Sequence, residues 1–172
     1  MKKALILLCT MMITFLGSAC TYYQSITINE KDWITALEEE NRKKFVSFFS
    51  KETQKLPDFS QKVDELLKFF SGEVLSYCKI DAEGTHEEFE EDMYKKTLIS
   101  NYIVTTTDSI YRIAIEAVVA NTKNENEIGI CTFFIKNTDD DDSESSYWGD
   151  GKFSFDTHKG IHIDDSFTKT MY

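Results

Sequence analysis

Hydrophobic positions change their spacing about halfway along the chain, and the change separates a helical half from a sheet half. In the second half, Tyr111, Ile113, Ile115, Ala117 and Val119 alternate with Ile110, Arg112, Ala114, Glu116 and Val118. This period of two predicts a strand with one apolar and one mixed face. Residues 98–106 are rich in Ile, Val, Thr and Tyr, and Thr107-Asp108-Ser109 supplies a turn into that strand. On its far side, residues 121–126 are polar and lead into a further apolar run at 128–135. Three consecutive antiparallel strands are therefore expected within residues 97–136. Residues 73–80 read as an earlier strand, and 81–92 as an acidic loop or short helix.

The first half has helical spacing. Asn29 offers an N-cap, Glu30 and Asp32 suit a first turn, and Trp33, Ile34 and Leu37 form an apolar stripe that Phe45, Val46, Phe48 and Phe49 resume. This predicts one kinked helix or two short ones. Pro57 interrupts the pattern, Asp58 or Ser60 can cap the next helix, and Val63, Leu66, Leu67, Phe69 and Phe70 make a second stripe that Gly72 ends. The expected fold class is α+β, with N-terminal helices packed on a curved antiparallel sheet.

The chain begins with Lys2 and Lys3, an uncharged run over residues 4–16, and Gly17-Ser18-Ala19-Cys20. The run is shorter than the ~20 residues of a spanning helix and has the form of an export signal. With Cys20 directly after small residues, it resembles a bacterial lipoprotein signal, which implies that Cys20 becomes a lipidated N-terminus. Gly17 stands where such signals usually carry Leu, with Leu16 one place earlier, and Gly17-Ser18-Ala19 also fits ordinary cleavage after Ala19. The expected organisation is a signal at 1–19, a tether at 20–28 and a single domain at 29–172. The expected location is the outer face of the cell membrane, held there by lipid.

The formal net charge is −11, and loss of Lys2 and Lys3 with the signal makes it more negative. Such a surface repels phosphate backbones, so nucleic acid is not an expected partner, and membrane attachment has to come from the lipid. A hydrophobic fraction of 41% rules out a disordered chain. Of four cysteines, Cys9 leaves with the signal and Cys20 is the lipidation candidate, so only Cys78 and Cys131 remain. That is not a disulfide scaffold. Both are expected in strands as small buried hydrophobes, with a bridge between them left open.

The candidate chemistry is sparse. Asp139, Asp140, Asp141, Asp142 and Glu144 offer hard oxygen ligands but lack the turn glycine of an EF-hand, and they read as a solvated loop, as do Glu87, Glu88, Glu90, Glu91 and Asp92. His158 and His162 flank Gly160 and lack an identifiable third ligand, and His86 is isolated. No metal or other cofactor is expected. Arg112 and Glu116 share one strand face, and with Tyr102 on the preceding strand they form a candidate pocket if that face is concave. On an outer face they would be a solvated pair. Tyr147 and Trp148, with Phe153 and Phe155, are a candidate protein contact or a core plug.

The order of helices followed by a curved sheet resembles the NTF2-like, or cystatin-like, cone fold. The blocks Leu66-Leu67-Lys68-Phe69-Phe70-Ser71-Gly72-Glu73-Val74-Leu75-Ser76-Tyr77, Ile128-Gly129-Ile130, Tyr147-Trp148-Gly149-Asp150-Gly151 and Gly160-Ile161-His162-Ile163 resemble a family of bacterial lipoproteins, mostly Gram-positive, described as a domain of unknown function (DUF5104). That resemblance implies a fold and a location and brings no catalytic residues. No nucleotide loop, catalytic triad, zinc signature or paired carboxylates appear in the sequence. The expected function is a non-catalytic binding module for a protein or small molecule. The alternatives are an immunity protein for a basic toxin, motivated by charge, and an NTF2-like enzyme using Glu116 and Arg112.

Overall fold

A computed structural model of the protein describes residues 26–80, 84–138 and 159–163. Helices α1 (Glu30–Glu38), α2 (Arg42–Val46) and α3 (Phe59–Phe69) come first, with a 3-10 turn at Thr53–Lys55 between the last two. Strands β1 (Val74–Lys79), β2 (Gly84–Glu90), β3 (Met93–Thr106), β4 (Ile110–Asn121), β5 (Gly129–Asn137) and β6 (Gly160–Ile163) come next, with a second 3-10 turn at Glu125–Glu127.

The first stripe forms two helices, because Glu40 adopts a left-handed φ of 50° and each helix has its own cap. Asn29 Oδ1 accepts from Lys31 N at 3.1 Å, and Asn41 Oδ1 from Lys44 N at 3.1 Å, satisfying amides that have no intrahelical partner. Arg42 Nε then reaches Asp64 Oδ1 at 2.7 Å and tethers α2 to α3. Asp58 is the N-cap residue of α3 but its side chain makes no capping hydrogen bond. Beyond α3, Gly72 has φ +85°, and a Cβ there would lie 2.8 Å from Thr107 Oγ1. Only glycine fits this approach to the β3–β4 turn.

The strands form one open sheet in the order β1-β3-β4-β5-β6. β2 shares the β3 edge with β1: β1 pairs with residues 102–106 of β3, and β2 with residues 93–99. The three expected strands are β3, β4 and β5, antiparallel as the alternation implies. Two expectations need correction. The sheet is mixed, since β6 lies parallel to β5. Residues 138–159 separate those strands, enough chain for a parallel return. The acidic stretch is also not a loop or short helix over its described part, because Gly84–Glu90 is strand β2. Its charges are cross-strand partners, with Glu87 opposite Lys96 and Glu88 opposite Lys95, so pairing with β3 replaces an apolar face.

The main core lies between the helices and the face bearing Tyr102, Val104, Tyr111, Ile113, Ile115, Ala117, Ile130, Phe133 and Ile135. At its centre Phe133 meets Trp33, Phe45 and Phe49 at centroid distances of 5.7, 5.5 and 6.2 Å. The first two contacts are edge-to-face, the arrangement ring quadrupoles favour. Gly129, at φ +128°, lets β5 approach the chain at Phe49, where a Cβ would sit 2.6 Å from Ser50 N. Phe133→Ala removes the ring on which α1, α2 and the 46–50 segment converge. It is expected to cost about 3–5 kcal/mol in a urea titration. A loss below about 1 kcal/mol would contradict this account of the core.

Candidate functional site

The helices leave one part of the sheet open. Leu98, Ser100 and Tyr102 project from β3 on the helix-covered side, where their partners on β4 are Ala117, Ile115 and Ile113. Trp33 of α1 closes one end, its ring edge-to-face with Tyr102 at 5.3 Å and 72°. Across the other end runs the segment 26–28, fastened by a hydrogen bond from Ile26 N to Val119 O at 2.9 Å. These elements border a half-open pocket of about 360 Å³, whose lining includes Ile26, Ile28, Trp33, Leu98, Ile115 and Val119 together with Thr27, Thr85 and Ser100. Ile26 also lines a wider, open groove of about 1170 Å³ on its other side, beside Val46, Phe49 and Ile128.

Polar groups share the pocket surface with the apolar ones: Thr27, Glu30, Thr85, Lys96 and Ser100 all line it. Ser100 is 8% exposed, and no hydrogen bond among the described residues uses its hydroxyl. Lys96 lines the pocket with its charge answered by Glu87, Nζ to Oε1 at 3.0 Å. Glu30, in the first turn of α1, lies at the margin, where the helix N-terminus favours its carboxylate. A mixed wall of aliphatic side chains and hydroxyls, with Lys96 ion-paired, suits a small uncharged molecule that has both apolar and polar parts.

Of the three candidate pocket residues, only Tyr102 is here. Arg112 pairs with Ile103 and Glu116 with Ile99, which puts both on the opposite face of the sheet from Tyr102. A single site built from Tyr102, Arg112 and Glu116 is therefore not formed. Four positions along a strand also separate Arg112 from Glu116 by roughly 13 Å. Glu116 is buried and accepts a hydrogen bond from Thr132 Oγ1 at 3.0 Å. Arg112 is half-buried, with Lys136 as its partner on β5.

The cysteines divide. Cys131 is buried, and its thiol donates to Gly129 O at 3.6 Å. Burial pushes the Cys131 pKa up, and the nearby Glu116 carboxylate adds to the shift, so the thiol stays protonated and unreactive. Beside it, Ser50 Oγ and Thr53 Oγ1 share a buried hydrogen bond of 2.8 Å. Cys78 is exposed on edge strand β1, contrary to the expectation that both are buried. Three strand spacings, roughly 14 Å, separate it from β5, well beyond the roughly 7 Å limit for a disulfide.

His162 stacks on Phe134 at 4.5 Å, and His86 Nε2 lies 3.5 Å from Glu88 Oε1. Among the described residues no three metal-ligating side chains come together. Cys20, Asp139 to Asp142, Glu144, Tyr147, Trp148, Phe153, Phe155 and His158 lie outside the described residues. Ser100 and the 26–28 segment were missed from the sequence. The signal for Ser100 was the alternation Leu98, Ser100, Tyr102, which places all three on one face. No sequence feature shows that 26–28 pairs with β4.

The described residues define an α+β protein with helices against one face of a mixed sheet and a small pocket beside them. The chain belongs to the family described as Domain of unknown function (DUF5104), which it matches over residues 32–138. That span runs from α1 through β5 and includes Trp33 and the sheet residues of the pocket. No curated protein matches the chain.

The thiols are separable by experiment. Cys78→Ala is expected to abolish a fast-reacting thiol in the native protein, whereas Cys131→Ala leaves native-state labelling unchanged. With its folded pKa above its unfolded value, Cys131 keeps a proton that the unfolded chain loses as pH rises through that window. Its contribution to stability therefore falls there. Urea titrations at about pH 8 and about pH 10 should show a smaller alkaline loss in Cys131→Ala than in wild type. Equal losses would mean the thiol is not shifted.

Proposed function

We propose that this protein is an exported lipoprotein, held at the outer face of the cell membrane by lipid on Cys20, whose domain is a non-catalytic, NTF2-like binding module for a small molecule. The observation that carries the binding reading is the pocket under Trp33 and Tyr102. It combines aliphatic side chains with hydroxyls, that of Ser100 among them, within reach of a ligand. Its volume of about 360 Å³ falls in the usual range of small-molecule sites. Among the described residues, helices followed by a sheet with one helix-covered face are compatible with the NTF2-like cone, of which this pocket would be the interior. The lipoprotein reading draws on the basic start, the uncharged run and Cys20. A non-catalytic role is favoured because the pocket wall offers neither a nucleophile beside a base nor a pair of close carboxylates.

Two measurements test this. Labelled palmitate should enter the wild-type protein in its host and fail to enter Cys20→Ala. Incorporation into both would remove the anchor from the proposal. Native mass spectrometry on protein gently released from the envelope should show a bound molecule that Ser100→Phe, filling the pocket, no longer retains. A molecule retained equally by the variant would locate binding elsewhere.

A further inference from the structure

We infer that the pocket takes an uncharged, single-chain amphiphile drawn from the membrane to which the protein is anchored. The inference rests on the small-molecule reading above and adds the ligand's chemistry and source. Three observations carry it.

The first is the wall. Leu98, Ile26 and Ile28 offer aliphatic surface over a floor of Ile115, Val119 and the Trp33–Tyr102 pair. The hydroxyls of Thr27 and Thr85 share the wall with them, as an amphiphile with an apolar chain and a polar head would need. A pocket of about 360 Å³ lies near the small end of ligand sites, with room for one short chain and not for the two chains of a phospholipid.

The second is polarity. Ser100 is more than nine-tenths buried, lines the pocket, and has a hydroxyl that no hydrogen bond among the described residues uses. A hydroxyl, ester or amide on the ligand would take the place of water at that hydroxyl and keep its hydrogen bond. A carboxylate or phosphate would find no cation to meet it, because Lys96 is already paired with Glu87 and Glu30 stands at the margin. The net charge of −11 works against an anion over longer range.

The third is position. The strand of chain that closes the pocket is the one leading back to Cys20. Five residues lie between Cys20 and Ile26, and whatever path they take the six steps span no more than about 21 Å. A lipid on Cys20 therefore holds the pocket mouth within that distance of the bilayer. Ile26 N to Val119 O is a backbone hydrogen bond that pins this segment over the pocket, so entry needs only a local opening there.

The test uses the full lipidated chain on phosphatidylcholine vesicles, with Trp148→Phe so that Trp33 is the only tryptophan. A medium-chain monoacylglycerol brominated on its chain is the uncharged probe, and the brominated fatty acid of equal length is the anionic one. Saturable quenching of Trp33 by the monoacylglycerol is expected, with roughly fivefold weaker binding in Ser100→Val, which loses the hydrogen bond. Ser100→Phe should abolish the saturable phase. The fatty acid should bind at least about tenfold more weakly. Equal binding of the two probes would overturn the charge selectivity.

The source is read by adding Cys20→Ala, which is unanchored. It should need far more vesicle-borne amphiphile for half quenching, yet match wild type when the probe is given as monomer in solution. Identical vesicle titrations would overturn the membrane source. If Trp33 is not quenched while the bound molecule seen by mass spectrometry is still lost in Ser100→Phe, the ligand class is wrong and small-molecule binding stands. If neither signal appears, both readings fall.

Discussion

Phe133 is the point at which the helices are fixed to the sheet. Its ring faces Trp33 from α1, Phe45 from α2 and Phe49 from the chain beyond α2, and two of these contacts are edge-to-face. Edge-to-face packing constrains angle as well as distance, so each helix is located in orientation and not merely pressed against an apolar surface. The next contacts outward depend on that placement. Tyr111 stacks on Phe70 at 4.9 Å and donates through its hydroxyl to Phe69 O at 3.0 Å, which ties the end of α3 to the start of β4. Glu38 at the end of α1 accepts from Val74 N at 2.8 Å and so sets where β1 begins.

The pocket is a consequence of where this packing stops. Trp33 is the last large ring over the sheet, and past it the rows on β3 and β4 contain Ser100 and Ala117. Larger residues at those positions would fill the space, and the N-terminal segment would lie on side chains instead of bridging a hollow. The same economy appears on the opposite face of β4, where Ala114, Glu116 and Val118 are buried. A buried carboxylate is tolerated there because Thr132 donates to it from the adjacent strand. The sheet edge is handled differently. β2 sets Glu87 and Glu88 against Lys96 and Lys95, an arrangement that keeps an exposed strand soluble and discourages pairing with other chains.

Tyr102, Arg112 and Glu116 show why a candidate site can be half right. The alternation on β4 correctly groups Arg112 with Glu116, but the position of Tyr102 relative to them depends on the register between β3 and β4. Tyr102 lies opposite Ile113, so it joins the apolar face, and one residue of slip would have reversed this. Register is set by the turn at 107–109 and by which side the helices cover, and both are properties of the assembled sheet.

The two helical stripes, the Asn29 cap, the three strands of the second half and the apolar face of β4 are legible in the chain alone. Each depends on contacts a few residues apart, so each leaves a period or a cap in the chain. That Gly84–Glu90 is a strand follows from assembly, because its stability comes from lysines on β3 and not from its own hydrophobicity. The same holds for the parallel placement of β6, whose hydrogen bonds go to a strand more than twenty residues earlier. The separation of Cys78 from Cys131 comes from strand order, which spacing along the chain does not encode. The pocket, finally, is made by small residues on two strands and a segment crossing over them, and a hollow has no periodicity of its own to be read.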